Sequence, residues 1–290
     1  MNARVGDFLR LVRFEHTVFA LPFALAGAWL AARGLPPWRD LAGLVLAAVF
    51  ARSAAMAANR LADRDYDARN PRTADRELPA GRISVRAALV FTVANAVGFV
   101  LVAWWLAPVC GLLAPLVLVP LLGYSWLKRW TWAAHFGLGL ALALAPAGAW
   151  LAVAKEFRPG WDEPLWLGLG VLAWVAGFDL LYALQDEEVD RRLGLHSVPA
   201  RFGASAALRL SALCFGAALA AWAGFAVRVG LGAGWWAAWM AAAAVLTAEQ
   251  LWVRRVGVGA VPRAFFDLNA WVGPLLFVGL LLDPGLRGGG

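Results

Sequence analysis

The chain has 290 residues, 62% of them hydrophobic and only 16% charged, with a mean hydropathy of +0.66. Ordinary soluble domains are about half apolar and about a quarter charged, so this balance excludes a soluble globular protein and points to a polytopic membrane protein. The net charge of +7 would suit a nucleic-acid partner, but it is distributed by membrane topology, which excludes that reading too.

In chain order, "DFLRLVRF" (7–14) reads as an interfacial helix leading into the first span, and not as a signal peptide, because many spans follow. Apolar runs recur at 17–33, 41–62, 86–107, 109–127, 132–154, 164–185, 206–228, 233–253 and 265–283, each roughly long enough to cross a bilayer. These nine use most of the chain, so residues 1–290 are expected to form one all-α transmembrane domain. With the N-terminus placed in the cytoplasm, 19 of the 26 Lys and Arg fall on the cytoplasmic side, six on the far side, and Arg52 inside a span. That asymmetry satisfies the positive-inside rule at every loop and puts the C-terminus on the far side of the cell membrane. Cys110 and Cys214 fall in spans without metal-like spacing and are expected to be small buried side chains.

The second run ends in "NRLADRDYDARNPRTADRELPAGR" (59–82), which holds six arginines and five carboxylates. If the helix continues to 67, Asn59, Asp63 and Asp67 stand at i, i+4 and i+8. Each step turns the helix about 400°, so the three share one face over about 12 Å. Asp65 points nearly opposite and is left to solvent or a salt bridge. Further on, "GYSWLKRW" (123–130) sets Tyr124 and Lys128 at i, i+4, a hydroxyl and a cation suited to a phosphate oxygen. The sixth run closes with "FDLLYALQDEEVDRRLG" (178–194), where Asp179, Tyr182, Asp186 and Asp190 read as one helical face, with Glu187 and Glu188 off it. Asp179 lies about two turns inside the apolar segment, where an ionisable group is costly and usually faces a polar cavity. The three tyrosines of the chain, Tyr66, Tyr124 and Tyr182, all lie in or beside these polar islands.

The two acidic motifs sit four spans apart, each followed by a similar phrase, "ELPAGRISVRAAL" and "SVPARFGASAAL". This faint repeat suits a pseudo-symmetric membrane protein with its site between the halves. Mg²⁺ takes oxygen ligands and is commonly held by one or two carboxylates plus substrate phosphates. Two facing carboxylate sets would clamp a diphosphate through bridging metals and neutralise its charge on departure.

The pattern Asn59-x-x-x-Asp63-x-x-x-Asp67, with Asp179-x-x-Tyr182-x-x-x-Asp186-x-x-x-Asp190 downstream, resembles the UbiA superfamily of intramembrane aromatic prenyltransferases. The stretches "RSAAMAANRLADRDYDARNPRTADRELPAGRIS" and "FDLLYALQDEEVDRRLGLHSVPARFG" look like the 4-hydroxybenzoate polyprenyltransferase branch and its relatives in the futalosine route to menaquinone. The likeness runs from the first span to "AFFDLNAWVGPLLF" (264–277). It implies a nine-helix bundle whose polar cavity opens to the cytoplasm. The implied activity is Mg²⁺-dependent transfer of a polyprenyl group from its diphosphate to a small aromatic carboxylic acid for quinone synthesis. By the same resemblance, Asp63 and Asp67, with Asn59 beside them, would bind Mg²⁺ and the prenyl diphosphate, and Asp186 and Asp190 would hold the second metal. Tyr124, Lys128 and Tyr182 would steady the diphosphate as the allylic C–O bond breaks. Asp179 would position the aromatic ring or accept its proton.

Arg52 lies seven residues before Asn59, hence on the same face and about 10 Å deeper. Its guanidinium matches a substrate carboxylate. Both 4-hydroxybenzoate and 1,4-dihydroxy-6-naphthoate carry one, so Arg52 does not choose between them. One departure is Arg60, where many members have Asp after the motif's Asn; helical spacing turns it about 100° from Asn59. The competing class is an ion-coupled transporter, which would bury carboxylates at mid-membrane but needs no paired Mg²⁺-type clusters at the cytoplasmic edge. Blander readings pair Arg52 with Glu249, treat Lys128 and Arg129 as topology charges, and give Asp267 and Asn269 a packing role. His16, His135 and His196 form no ligand spacing and are assigned nothing.

Overall fold

In lipid every backbone polar group must be satisfied within the protein, and an apolar chain does this by forming helices. The computed structural model describes residues 5–12, 19–261 and 267–283, and these are helical with no strand among them. The order is α1 Val5–Val12, α2 Leu21–Ala32, α3 Trp38–Asp67, α4 Val85–Leu106, α5 Pro108–Leu127 and α6 Ala134–Ala154. There follow α7 Glu163–Tyr182, α8 Glu187–Arg192, α9 Val198–Phe202, α10 Ala204–Val229, α11 Ala233–Val256 and α12 Asn269–Leu282. Residues 1–4, 13–18, 262–266 and 284–290 lie outside the described set, and with them His16 and the starts of the first and last expected spans.

Six of the expected spans are matched by helices long and apolar enough to cross a membrane: α3, α4, α5, α6, α7 with its continuation to Arg192, and α10. The helices α2 and α12 are apolar but shorter, and α11 covers the eighth expected range with 24 residues. Prolines punctuate the chain where helices begin. Ala107 is extended between α4 and α5, and Pro108, which lacks an N–H, opens the next helix directly. Outward faces of α4 and α5 expose Leu89, Val93, Val97, Leu112, Leu116 and Val119, the composition that lipid requires.

The best-buried helix is α7, packed between α6 and α10, with α2 laid against α6. Trp174 on α7 lies 5.6 Å from the ring of Phe23, 5.2 Å from Phe178 and 6.3 Å from Trp222. Its indole N–H donates to Asn269 Oδ1 at 2.8 Å, and Asn269 Nδ2 donates to Glu249 at 2.6 Å, so Asn269 does pack and join helices. Asp267, by contrast, is exposed.

Helices meet closely where small residues permit it. A Cβ on Gly27 of α2 would stand 2.1 Å from the carbonyl oxygen of Pro146 on α6. Gly27→Val is therefore expected to destabilise the bundle by about 3 kcal/mol, the scale of core overpacking. Gly216→Ala, on α10 with nothing within 4 Å, should leave it unchanged. Thermal unfolding of the two variants in detergent makes the comparison.

Candidate active site

The helix α3 runs for 30 residues without a break to Asp67, so Arg52, Asn59, Asp63 and Asp67 follow one face as the spacing requires. Beside it end α5, bringing Tyr124 and Lys128, and α7, bringing Asp179 and Tyr182. All ten predicted residues line one cavity of about 710 Å³: Arg52, Asn59, Asp63, Asp67, Tyr124, Lys128, Asp179, Tyr182, Asp186 and Asp190. The rest of its wall is mostly alanine and leucine from α2, α3, α5 and α6, with aromatic side chains.

The face expected to run straight from Asp179 to Asp190 is interrupted. Residues Ala183–Asp186 form a 3₁₀ turn, and Asp186 itself sits at φ −108°, ψ 3° before α8 begins. Helix ends tighten in this way to satisfy their last carbonyls. The new helix is favoured by Glu187, Glu188 and Asp190 in its first turn and Arg191 and Arg192 in its last. The break re-aims the chain, yet all four residues still reach the cavity.

Each of three motif carboxylates is engaged by a cation, as buried charge requires. Lys128 Nζ lies 2.8 Å from Asp63 Oδ2. Asn59 Nδ2 donates to the same oxygen at 3.3 Å and to Ser125 Oγ at 3.0 Å. Arg76 Nη1 donates to both oxygens of Asp67 at 2.8 and 2.9 Å. Arg72 Nε donates to Asp186 Oδ1 at 3.0 Å, its Nη2 pairs with Oδ2, and its Nη1 donates to the Tyr182 hydroxyl at 3.1 Å. Asn70 Nδ2 adds a 2.8 Å bond to Asp186 Oδ1. Burial lowers the Arg72 pKa, but Asp186 and Tyr182 outweigh it and leave that guanidinium above its ordinary value. The loop after α3 thus ties the first acidic motif to the second.

Lys128 is accordingly more than a topology charge. Arg129 also has a local task, donating to the Ala62 carbonyl and lying 5.3 Å from the Tyr66 ring centroid. Arg60, expected to point away, is buried and reaches back to donate to Asn59 Oδ1 at 3.1 Å. Glu249 accepts from Asn269 instead of meeting Arg52. Asp65 is left to the surface as expected, paired with Arg64 at 2.9 Å.

Sequence spacing missed Asn70, Arg72, Arg76, Ser125 and His135. The last is within 2.7 Å of Asp179 and also lines the cavity. A signal for it existed: His135 is the one ionisable residue of α6, and such a residue in an apolar helix marks a site by default.

For a divalent cation the donor set fits. Among the described residues no group of three or more His, Cys, Asp or Glu gathers around one point, and Mg²⁺ commonly takes one or two carboxylates with waters and substrate phosphates. Among the described residues the buried Asp63 Oδ1 has no hydrogen-bond partner, an acceptor left over by their bonds.

The sequence profile of the UbiA prenyltransferase family matches residues 20–273. A 4-hydroxybenzoate octaprenyltransferase of Alkalilimnicola ehrlichii is 33% identical over 290 positions, covering 99% of this chain and 93% of that protein. The protein of the same name from Pseudomonas entomophila is 31% identical over 296 positions, covering 99% and 96%. The apo structure of a UbiA homologue from Aeropyrum pernix K1 superposes with a TM-score of 0.83 at 34% identity, over 93% of this chain and 98% of that one. A UbiA homologue from Archaeoglobus fulgidus, bound to GPP and Mg²⁺, gives 0.72 at 19% identity over 95% and 98%, a likeness of fold.

Proposed function

The chain belongs to the UbiA prenyltransferase family, and from that premise we propose that it transfers a polyprenyl group from polyprenyl diphosphate to 4-hydroxybenzoate, releasing diphosphate. The observation that carries this reading is the convergence of both acidic motifs, with Lys128, Arg72 and Arg76, on one cavity whose remaining wall is largely apolar. The apolar part suits a prenyl chain and the charged part a diphosphate. The relatives named as 4-hydroxybenzoate enzymes favour that acid over 1,4-dihydroxy-6-naphthoate, the runner-up acceptor. One domain, nine crossing helices related by a pseudo-repeat, a cytoplasmic N-terminus, a far-side C-terminus and a cavity open to the cytoplasm complete the proposal, on the strength of the basic-residue asymmetry.

In this reading Asp63 and Asp67, with Asn59, and then Asp186 and Asp190, would hold Mg²⁺, which would supply positive charge to the departing diphosphate. Lys128, Tyr124 and Tyr182 donate to phosphate oxygens, and Arg72 and Arg76, now turned on carboxylates, are placed to do the same. The apolar wall keeps water from the allylic cation, so the ring carbon of the acceptor captures it. Arg52 takes the acceptor's carboxylate and Asp179 the ring proton.

Arg52→Leu is expected to raise the KM for the aromatic acid by 10- to 100-fold and leave that for the prenyl diphosphate unchanged. A hydrogen bond to a charged group is worth about 1.5–3 kcal/mol. Steady-state kinetics with each substrate varied in turn will read this. The activity itself is tested in membranes holding the protein, with Mg²⁺, labelled polyprenyl diphosphate and each acid in parallel. Prenylated 4-hydroxybenzoate bears out the reading, and product with the naphthoate alone would reassign the acceptor. No product with either, from folded protein, would reopen the transporter class.

A further inference from the structure

His135 has no part in the reaction as read so far, yet its two ring nitrogens are both engaged. Nδ1 lies 2.7 Å from Asp179 Oδ2, and Nε2 lies 3.4 Å from the backbone nitrogen of Val198, whose N–H points at it. An amide N–H can only donate, so Nε2 is the acceptor and the ring proton sits on Nδ1. The histidine is thereby fixed as the donor to Asp179. The burial is unequal: the side chain of His135 is 5% exposed and that of Asp179 29%. Both line the cavity, but the aspartate is the more exposed of the two and the histidine the more deeply buried.

We propose that His135 is the positioning residue of the acceptor site, holding the Asp179 carboxylate in the orientation that removes the ring proton. The proposal rests on the transfer reading above and extends it to a residue outside both acidic motifs. When the allylic C–O bond breaks, diphosphate leaves with the electron pair and the acceptor's ring carbon bonds to the allylic carbon. The C–H bond at that carbon then breaks, its electrons restore aromaticity, and its proton goes to an Asp179 oxygen. Asp179, partly exposed in the cavity, returns it to water. His135 does not relay that proton, because Nε2 faces an N–H. Its task is geometric: one oxygen of Asp179 is tied, and the carboxylate cannot rotate off the ring.

The anchor behind His135 is the start of α9, where Ser197 caps the helix by accepting from Ala200 N. In the same connection the amide of His196 donates to the Lys128 carbonyl at 2.7 Å. The proton-accepting pair is thus built on the segment that also steadies the end of α5.

The test compares His135→Leu, which has no donor, with His135→Asn, which keeps one near the Nδ1 position, and His135→Gln, which displaces it. His135→Leu should lower kcat by about 100-fold, the scale of one positioned acid–base group, with the prenyl diphosphate KM unchanged. His135→Asn should recover to within about tenfold of wild type, and His135→Gln should stay near the Leu variant. With ring-deuterated acceptor, the isotope effect on kcat should rise from about 1 in wild type to about 3 in the Leu and Gln variants, as proton loss becomes limiting. Combined with Asp179→Asn, His135→Leu should cost nothing further. If the Leu variant does not fold, the difference between the Asn and Gln variants decides in its place. Unchanged kcat, or a loss that adds to that of Asp179→Asn with no isotope effect, would overturn the assignment alone. An inactive wild type would overturn the transfer reading and this with it.

Discussion

Asp63→Asn is expected to lower the rate of prenyl transfer by about 10³-fold, the loss seen when one preorganised electrostatic contact to the transition state is removed. The physical ground is the bonding around this carboxylate. Oδ2 is shared by Lys128 and Asn59, while Oδ1 is buried with no partner among the described residues. An amide at this position removes the charge that would hold a cation, and it turns an N–H toward either the ammonium or the cation. The fold should survive, since the amide has the same shape and Lys128, with its side chain 27% exposed, regains water when its partner is neutralised. Asp65→Asn is the control. That side chain is 69% exposed and pairs with Arg64 at the surface, where water and salt leave an ion pair with little effect on stability. Initial rates and thermal midpoints of both variants decide the matter. An active Asp63→Asn enzyme would sink the metal assignment.

Asp186→Asn should be as severe in rate, again about 10³-fold, and should carry a second signature. Asp186 receives Arg72 through two nitrogens and Asn70 through a third. It therefore fastens the loop after α3 to the end of α7. Arg72 is 32% exposed on its side chain, so its loss of partner is softened by water and the effect stays local. Opening of the loop by about 1–2 kcal/mol is expected, roughly a tenfold faster tryptic cleavage at Arg69 to Arg76. Asp63→Asn should not share that sensitivity, because Asp63 bonds to α5 and not to the loop. Trypsin digestion of the two variants side by side separates the roles.

The sequence was most readable where chemistry and helical period coincide. The i, i+4, i+8 spacing of Asn59, Asp63 and Asp67 required only that α3 continue beyond its apolar part, and it does so to Asp67. The second acidic motif was legible in its residues but not in its path. A turn of 3₁₀ helix at Ala183–Asp186 costs little and has no distinct composition, so spacing alone reads through it. The charged loop was legible as charge only. Whether Arg72 and Arg76 face solvent or the carboxylates depends on how the loop folds back, with partners nine residues away for Arg76 and 114 for Arg72. His135 and Asp179 are 44 residues apart and meet because α6 and α7 pack, which no local pattern records. The runs of α3 to α6, α7 and α10 were legible in hydropathy and are met by helices long and apolar enough to cross a membrane, whereas the described helices α2 and α12 are shorter than the expected runs 17–33 and 265–283.

The most direct measurement follows both products at once. Wild-type protein in lipid vesicles receives doubly labelled polyprenyl diphosphate and 4-hydroxybenzoate, with Mg²⁺ or with a chelator. Prenylated acid and free diphosphate should form mole for mole with Mg²⁺, stop on chelation and resume when the metal is restored. Diphosphate released without prenylated acid, or transfer that ignores the chelator, would contradict metal-dependent prenyl transfer at this site.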